Sequence, residues 1–259
     1  MMKGIIEARQ LSTGYGKKIV LKDQNIVIPK NKITVILGPN GCGKSTMLKT
    51  MARVLPLKDG KIILDGKDLK TMKTAEIAQK IGFLSQILNT PEGISVYELV
   101  SYGRYPYKRI SSTKEDQKII EWALKETQTF EIKDMLVHDL SGGQKQRVWI
   151  AMVLAQQTNT ILLDEPTTYL DINHQLEIME LLKRLNDEQG LTVLMVLHEL
   201  PQAVQYSHYM AIIKDGHLVT AGDTKEIVSD ELFRDVFSVD VQIDTFDDKQ
   251  YVRVKGLVE

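Results

Sequence analysis

This chain of 259 residues has a single cysteine, Cys42. An internal disulfide is therefore excluded, and a reducing compartment suits it. It has almost no net charge: 33 basic side chains against 34 acidic ones give −1 at neutral pH. That balance gives no reason to expect a nucleic-acid partner. It also lacks any apolar run near the ~20 residues that span a bilayer. The longest, LTVLMVL at 191–197, has the length of one strand. The opening MMKGIIEARQ is polar and lacks the apolar centre of a secretory signal. Neither repeats nor low-complexity segments occur. The chain is expected not to cross a membrane by itself, which leaves docking onto a protein that does. What it has is 43% hydrophobic residues. That is enough for one large domain, or for a core with a smaller lobe.

The apolar residues are arranged in two different ways. KITVILGPNGCGKSTMLKTMARVL reads as strand, glycine turn and helix. Ile33, Val35, Ile36 and Leu37 form the strand, and Met47 or Leu48, Met51 and Leu55 recur at helical spacing. TNTILLDEP is a second short strand that ends on two acids. HQLEIMELLKRLNDEQG puts Ile178, Leu181, Leu182 and Leu185 on one helix face and stops at Gly190. LTVLMVLH follows as a third buried strand. Strands alternating with helices predict an α/β layer with a parallel sheet. Residues 89–158 differ and read as helical. SVYELVSYG has the Ser95/Glu98 spacing of a capping box and closes at Gly103. KEDQKIIEWALKETQ is amphipathic, and Val148, Ala151, Met152 and Ala155 form a third helix after Gly143. These three helices are expected to form a lobe inserted into the α/β core. The tail VDVQIDTFDDKQYVRVK alternates around a DDK turn and predicts a hairpin.

GPNGCGKS, residues 38–45, fits the phosphate-loop pattern G-x-x-x-x-G-K-S. Glycines let backbone N–H groups turn inward around phosphate oxygens, where a Cβ would block approach. A helix starting near Lys44 adds its positive dipole end. Lys44 can reach the terminal phosphates, and the Ser45 hydroxyl can ligate Mg²⁺. The candidate nucleotide contacts are Gly38, Pro39, Asn40, Gly41, Cys42, Gly43, Lys44, Ser45 and the adjoining Thr46. A plain glycine turn is the alternative, but the flanking strand and helix argue against it.

ILLDE, residues 161–165, places Asp164 and Glu165 at a strand end. Beside a phosphate loop, Asp164 suits the Mg²⁺ water shell and Glu165 suits an attacking water. His198 ends LTVLMVLH and Gln86 ends IGFLSQ. Either alone would be an ordinary polar residue at a strand end. Ligands of parallel α/β sheets collect at the carboxyl ends of strands, and Gly38, Gln86, Asp164, Glu165 and His198 all fall there. Tyr15 in LSTGYG could stack on a purine or pack on its own turn.

LSGGQ, residues 140–144, follows another logic. Ser141 and Gln144 have capping-box spacing, which a well-capped helix explains. Gly142 and Gly143 weaken a first helical turn. They make sense if something must approach the backbone closely.

Taken in order, Tyr15, GPNGCGKS, Gln86, LSGGQ, ILLDE, YLD and His198 resemble the ATP-binding subunit of an ABC transporter over nearly the whole chain. The resemblance implies an α/β fold: a P-loop NTPase, RecA-like core with an inserted helical subdomain and an N-terminal antiparallel β region. It implies one domain over 1–259. Residues 1–88 and 159–259 would be the nucleotide-binding core with its C-terminal hairpin, and 89–158 the helical signature subdomain. It implies ATP and Mg²⁺ as cofactors, and a head-to-tail dimer with a second copy or a paralogous cassette. Ser141, Gly142, Gly143 and Gln144 would then cap ATP held by the partner, and Asp171 would cross the interface. Glu165 would be the general base, His198 would hold the γ-phosphate, and Gln86 would sense Mg²⁺ and water.

SVYELVSYGRYPY, residues 95–107, and PTTYLDINHQLEIMELL are similar to importers of ferric siderophores, haem and cobalamin. Tyr102, Arg104, Tyr105 and Tyr107 would lie where such subunits receive a permease. That similarity implies two membrane-spanning permease subunits, an extracytoplasmic binding protein as an indirect partner, and a peripheral place on the cytoplasmic membrane face. HEL in place of the branch's more usual HDL keeps the histidine. Haem or cobalamin import is the nearest alternative, and an exporter subunit is further off. A chromosome-structure ATPase would need a coiled coil between Gln86 and Ser141. A translation-associated ATPase would need two cassettes, and this chain has one set of motifs.

Overall fold

The computed structural model describes residues 4–108, 110–168, 170–247 and 249–258, except for the Lys249 side chain. Tyr169 of YLD and Asp248 of the DDK turn lie outside the described residues. The chain divides into two compact units, Met1–Thr71 with Thr192–Glu259, and Met72–Leu191. The first segment holds β1 (Gly4–Thr13), β2 (Leu21–Pro29), β3 (Ile33–Leu37), α1 (Lys44–Met51), β4 (Leu57–Leu64) and β5 (Lys67–Asp68). The second unit holds α2 (Thr74–Ala78), β6 (Ile81–Leu84), α3 (Val96–Ser101), α4 (Thr113–Glu126), α5 (Gly142–Ala155), β7 (Thr160–Asp164) and α6 (Ile172–Gln189). The chain then returns to the first unit with β8 (Thr192–Val196), α7 (Leu200–Tyr206), β9 (Tyr209–Lys214) and β10 (His217–Asp223). There follow α8 (Thr224–Ile227), α9 (Asp230–Phe237), β11 (Val239–Phe246) and β12 (Lys249–Leu257).

In the first unit, β3 is buried at every residue and pairs in parallel with β8 and β9. Burial on both faces is why ITVIL is continuous rather than alternating. Ile36 lies opposite Val196 and Ala211, so both neighbours end at the edge where Gly38 leaves β3. β9 turns back into β10 through Asp215 and Gly216, both at positive φ, the two-residue turn that suits strand twist. β1 pairs antiparallel with β2 and β4. The tail forms the expected hairpin, with Val241 opposite Val254 and Ile243 opposite Val252.

In the second unit, β6 and β7 pair in parallel, with Leu84 opposite Leu163. Ser95 and Glu98 form the expected capping box: the Glu98 N–H donates to Ser95 Oγ at 3.2 Å, and the Ser95 N–H to Glu98 Oε2 at 2.8 Å. Ser112 caps α4, which buries Ile119, Ile120, Ala123 and Leu124. α5 starts at Gly142, because Ser141 supplies its cap. Val148 and Ile150 on α5 are fully buried, a contribution of about 1.5–3 kcal/mol each. α6 ends on Gly190 in the left-handed conformation, as its sequence requires.

Two expectations for GRYPY change. α3 ends at Ser101, and the chain continues as a 3₁₀ turn over Tyr102–Tyr107. Gly103 is no stop signal: a Cβ there would lie 2.2 Å from the Met152 carbonyl oxygen of α5. Arg104 is no surface contact either, being only 5% exposed. Its Nε donates to Asp116 Oδ1 at 2.7 Å and its guanidinium to the Ala155 carbonyl at 2.9 Å, with the Tyr107 ring beneath at 4.2 Å. One buried cation thus ties the 3₁₀ turn to α4 and to the end of α5. Tyr102 and Tyr105 stay exposed.

Burial pushes the Asp116 carboxyl up, but hydrogen bonds from Arg104 and Ser111 and the Arg104 charge outweigh it. The net value lies below the usual aspartate range. A depressed folded value means stability that is present at neutral pH and lost as pH falls through that value. Asp116→Asn is expected to cost about 2 kcal/mol at pH 7 by leaving Arg104 without its carboxylate. In chemical unfolding, the gap between variant and parent should close as the pH drops below the usual aspartate range.

Candidate active site

The phosphate loop occupies the carboxyl edge of β3 in the first unit. Gly38, Gly41 and Gly43 all have positive φ. Each glycine answers a different constraint. A Cβ on Gly38 would lie 2.0 Å from the Ile213 carbonyl oxygen of β9, so the loop's first residue is clamped against a neighbouring strand. A Cβ on Gly43 would lie 2.8 Å from Leu21 at the start of β2. Around Gly41 there is open space, and only its backbone conformation calls for glycine.

Gly43 is also the N-cap of α1 and supplies no capping side chain, so the helix opens directly onto the loop. Lys44 is 5% exposed, and its ammonium donates to the Gly38 and Pro39 carbonyls at 2.8 and 3.0 Å. Those bonds hold its charge inside the loop. Ser45 is half-buried and Thr46 buried, while Asn40 is exposed. Burial pushes the Cys42 thiol up, more than the Lys44 charge pulls it down. The thiol is therefore neutral at pH 7 and acts as a small packing group.

Tyr15 sits in the loop between β1 and β2 with its ring half exposed. The Val20 N–H closes that loop onto the Thr13 carbonyl at 2.9 Å. The far end of the loop, Val20 and Leu21, is what crowds Gly43. Tyr15 is thereby carried on a segment that abuts the phosphate loop. His198 is exposed, two residues beyond β8, at the same carboxyl edge as Gly38.

The second unit assembles the acids. β7 is buried throughout, and its last residue, Asp164, is 1% exposed. Glu165 follows in the left-handed region at φ 55°, uncommon for a residue with a side chain. Its Oε2 accepts from the Gln86 amide at 2.6 Å and from the Thr168 hydroxyl at 3.1 Å. The β6–β7 register accounts for the meeting, since Gln86 and Glu165 each lie just past the paired residues Leu84 and Leu163. Sequence reading missed Thr168. Its only signal is the three-residue spacing from Glu165.

Ser141 and Gln144 close a reciprocal capping box, at 3.3 and 3.0 Å. The two glycines between them separate. No atom lies within 4 Å of a Cβ built on Gly142, whereas one on Gly143 would strike the His174 ring at 2.4 Å. The close approach expected at Gly143 is thus filled from within the chain. Asp171 caps α6: its Oδ1 accepts from the His174 N–H at 2.9 Å and lies 2.7 Å from His174 Nδ1. The His174 backbone N–H, followed by its ring, holds the Asp171 carboxyl below the usual range.

A glycine loop opening onto a helix, a buried strand tipped with acids and a glycine-turn helix are the marks of an ATP-binding cassette. The family model described as ABC transporter matches residues 21–168, and the chain belongs to that family. It is 49% identical over 244 residues to the iron(3+)-hydroxamate import ATP-binding protein of Bacillus subtilis, covering 93% of this chain and 90% of that one. It is 44% identical to the ferric enterobactin transport ATP-binding protein of Escherichia coli, covering 90% and 87%. Among solved structures, it resembles a metal-chelate type ABC transporter in an inward-facing conformation. That match has a TM-score of 0.83 and 25% identity, over 99% of both chains. It also resembles the dimeric cassette MJ0796 in a post-hydrolysis state with ADP and phosphate. There the TM-score is 0.75 at 30% identity, over 85% of this chain and 98% of that one.

Gly38→Ala combines a forced φ with a steric clash against a strand carbonyl. It is expected to destabilise the unliganded protein by about 2–4 kcal/mol. The drop should appear in thermal unfolding without nucleotide.

Proposed function

We propose that this chain is the ATP-hydrolysing subunit of an importer that energises uptake of an iron(III)–siderophore complex. The observation that carries the catalytic part is the Glu165 carboxylate, held by the Gln86 amide at 2.6 Å on the residue after a buried strand aspartate. The cargo class is supported by the relatives named for hydroxamate and enterobactin systems.

In this reading the loop at 38–46 binds the ATP phosphates through backbone N–H groups, and Lys44 leaves its carbonyls for phosphate oxygens. Tyr15 stacks on the adenine. Glu165 accepts the proton of the attacking water, Gln86 and Thr168 fix the oxygen that does so, and His198 holds the γ-phosphate. Ser45 and Asp164 offer the oxygen donors that Mg²⁺ takes. Among the described residues there is no group of three His, Cys, Asp or Glu that could hold a metal. Mg²⁺, held by those donors, would neutralise phosphoryl charge.

Two copies work head to tail, with Ser141–Gln144 of one capping the nucleotide of the other and Asp171 crossing between them. The open space around Gly142 is in keeping with that approach. The dimeric neighbour MJ0796 supports the assembly. No helix among the described residues is long and apolar enough to cross a membrane. Two permease subunits would supply the path, with the cassettes on the cytoplasmic face and a binding protein delivering cargo outside. The exposed Tyr102 and Tyr105 are the aromatic contacts offered to the permease.

Glu165→Gln is expected to lower turnover at least ~100-fold while ATP stays bound and the dimer persists. ATPase assays paired with sizing chromatography test this, and near-normal hydrolysis would sink the assignment. Ser141→Arg should abolish hydrolysis while ATP binding by the monomer is kept. Its lost cap is worth only about 1 kcal/mol, so the fold should survive. Full activity in that variant would refute the shared site.

A further inference from the structure

We propose that His174 is a positioning residue that joins the glycine turn at 141–144 and the Asp171 loop into one rigid block. The inference rests on the dimer reading above, in which both segments face the partner copy. The imidazole touches each of them. On one side Nδ1 lies 2.7 Å from Asp171 Oδ1, the same oxygen that accepts from the His174 backbone N–H. An ionised acceptor requires the proton on Nδ1, which fixes the tautomer and the ring plane. On the other side the ring lies flush against Gly143. A Cβ built there would stand 2.4, 2.7 and 2.9 Å from Cδ2, Cγ and Nε2.

A second lacing runs one turn further along. Arg147 of α5 pairs with Glu177 of α6, and Asn173 donates to the same carboxylate at 3.1 Å. Gly143 and Arg147 are four apart on one helix, and His174 and Glu177 three apart on the other, so each pair shares a face. An ordinary helix cap needs only the backbone bond from His174 to Asp171. The ring bond and the glycine contact exceed that need. They fix where the 141–144 turn stands relative to the Asp171 loop. A misplacement of about 1 Å between two groups that meet one partner can cost up to ~100-fold. Imidazole suits the task because it combines a thin flat face for Gly143 with a donor for Asp171. Phenylalanine lacks the donor, and asparagine lacks the reach across both contacts.

The test uses the full chain in a Glu165→Gln background, with ATP-driven dimerisation followed by analytical ultracentrifugation. His174→Ala is expected to raise the dimer dissociation constant about tenfold. ATP binding by the monomer should stay within about twofold, which a general loss of structure would not allow. His174→Gln keeps a donor and some bulk and should recover part of the loss. A thermal-unfolding cycle reads the packing separately. Gly143→Ala should lower the midpoint markedly with His174 present, and much less in the His174→Ala background. Dimerisation of His174→Ala equal to its parent, or additive midpoints in the cycle, would overturn the proposal. Failure of the Glu165→Gln parent itself to dimerise with ATP would instead sink the dimer reading.

Discussion

The Ile213 carbonyl of β9 occupies the space where a side chain on Gly38 would be, and the first unit is organised around that contact. It holds the start of the phosphate loop against a strand of the sheet rather than leaving it to solvent. The rest follows geometrically. The chain must turn at positive φ, pass Gly41 in open space, and enter α1 at Gly43 without a capping side chain. A helix end that opens onto a glycine turn without a capping side chain is a geometry that suits an anion. Lys44 is buried against that loop and bonded to two of its carbonyls, so its charge is held at the carboxyl edge of β3.

The second unit solves a different problem. It fixes a carboxylate without neutralising it. Gln86 and Thr168 do this by donating to one oxygen of Glu165, and neither brings a formal charge. The backbone of Glu165 takes the left-handed conformation just past the end of β7. Elsewhere in the unit, charge serves architecture. Arg104 satisfies Asp116 and a helix-end carbonyl from a buried position, binding segments that apolar packing alone would leave to slide.

Much of this was legible in the sequence because local rules govern it. Largely apolar five-residue runs specify β3, β7 and β8, and Ser95, Glu98 and Gly190 announce their caps. The phosphate loop is a backbone device, so its glycine spacing is visible directly. Other features were hidden because they depend on partners distant in sequence. Gly103 looked like a helix stop and is a packing contact with Met152. Arg104 looked like a surface residue and is buried. Gly142 and Gly143 looked alike, yet one meets open space and the other a histidine thirty-one positions on.

The sequence by itself determined the family and the motifs of this protein: a loop of glycines and a lysine, acids at strand ends, and a second glycine turn. These are short-range patterns, and each residue type states its role through its own backbone freedom or charge. Only the tertiary structure decided which residues hold the machinery in place. Thr168 on Glu165, Ile213 against Gly38, and His174 between Asp171 and Gly143 all act through packing or hydrogen-bond geometry. A side chain's function as a support depends on what lies within a few ångströms of it, and spacing along the chain does not encode that.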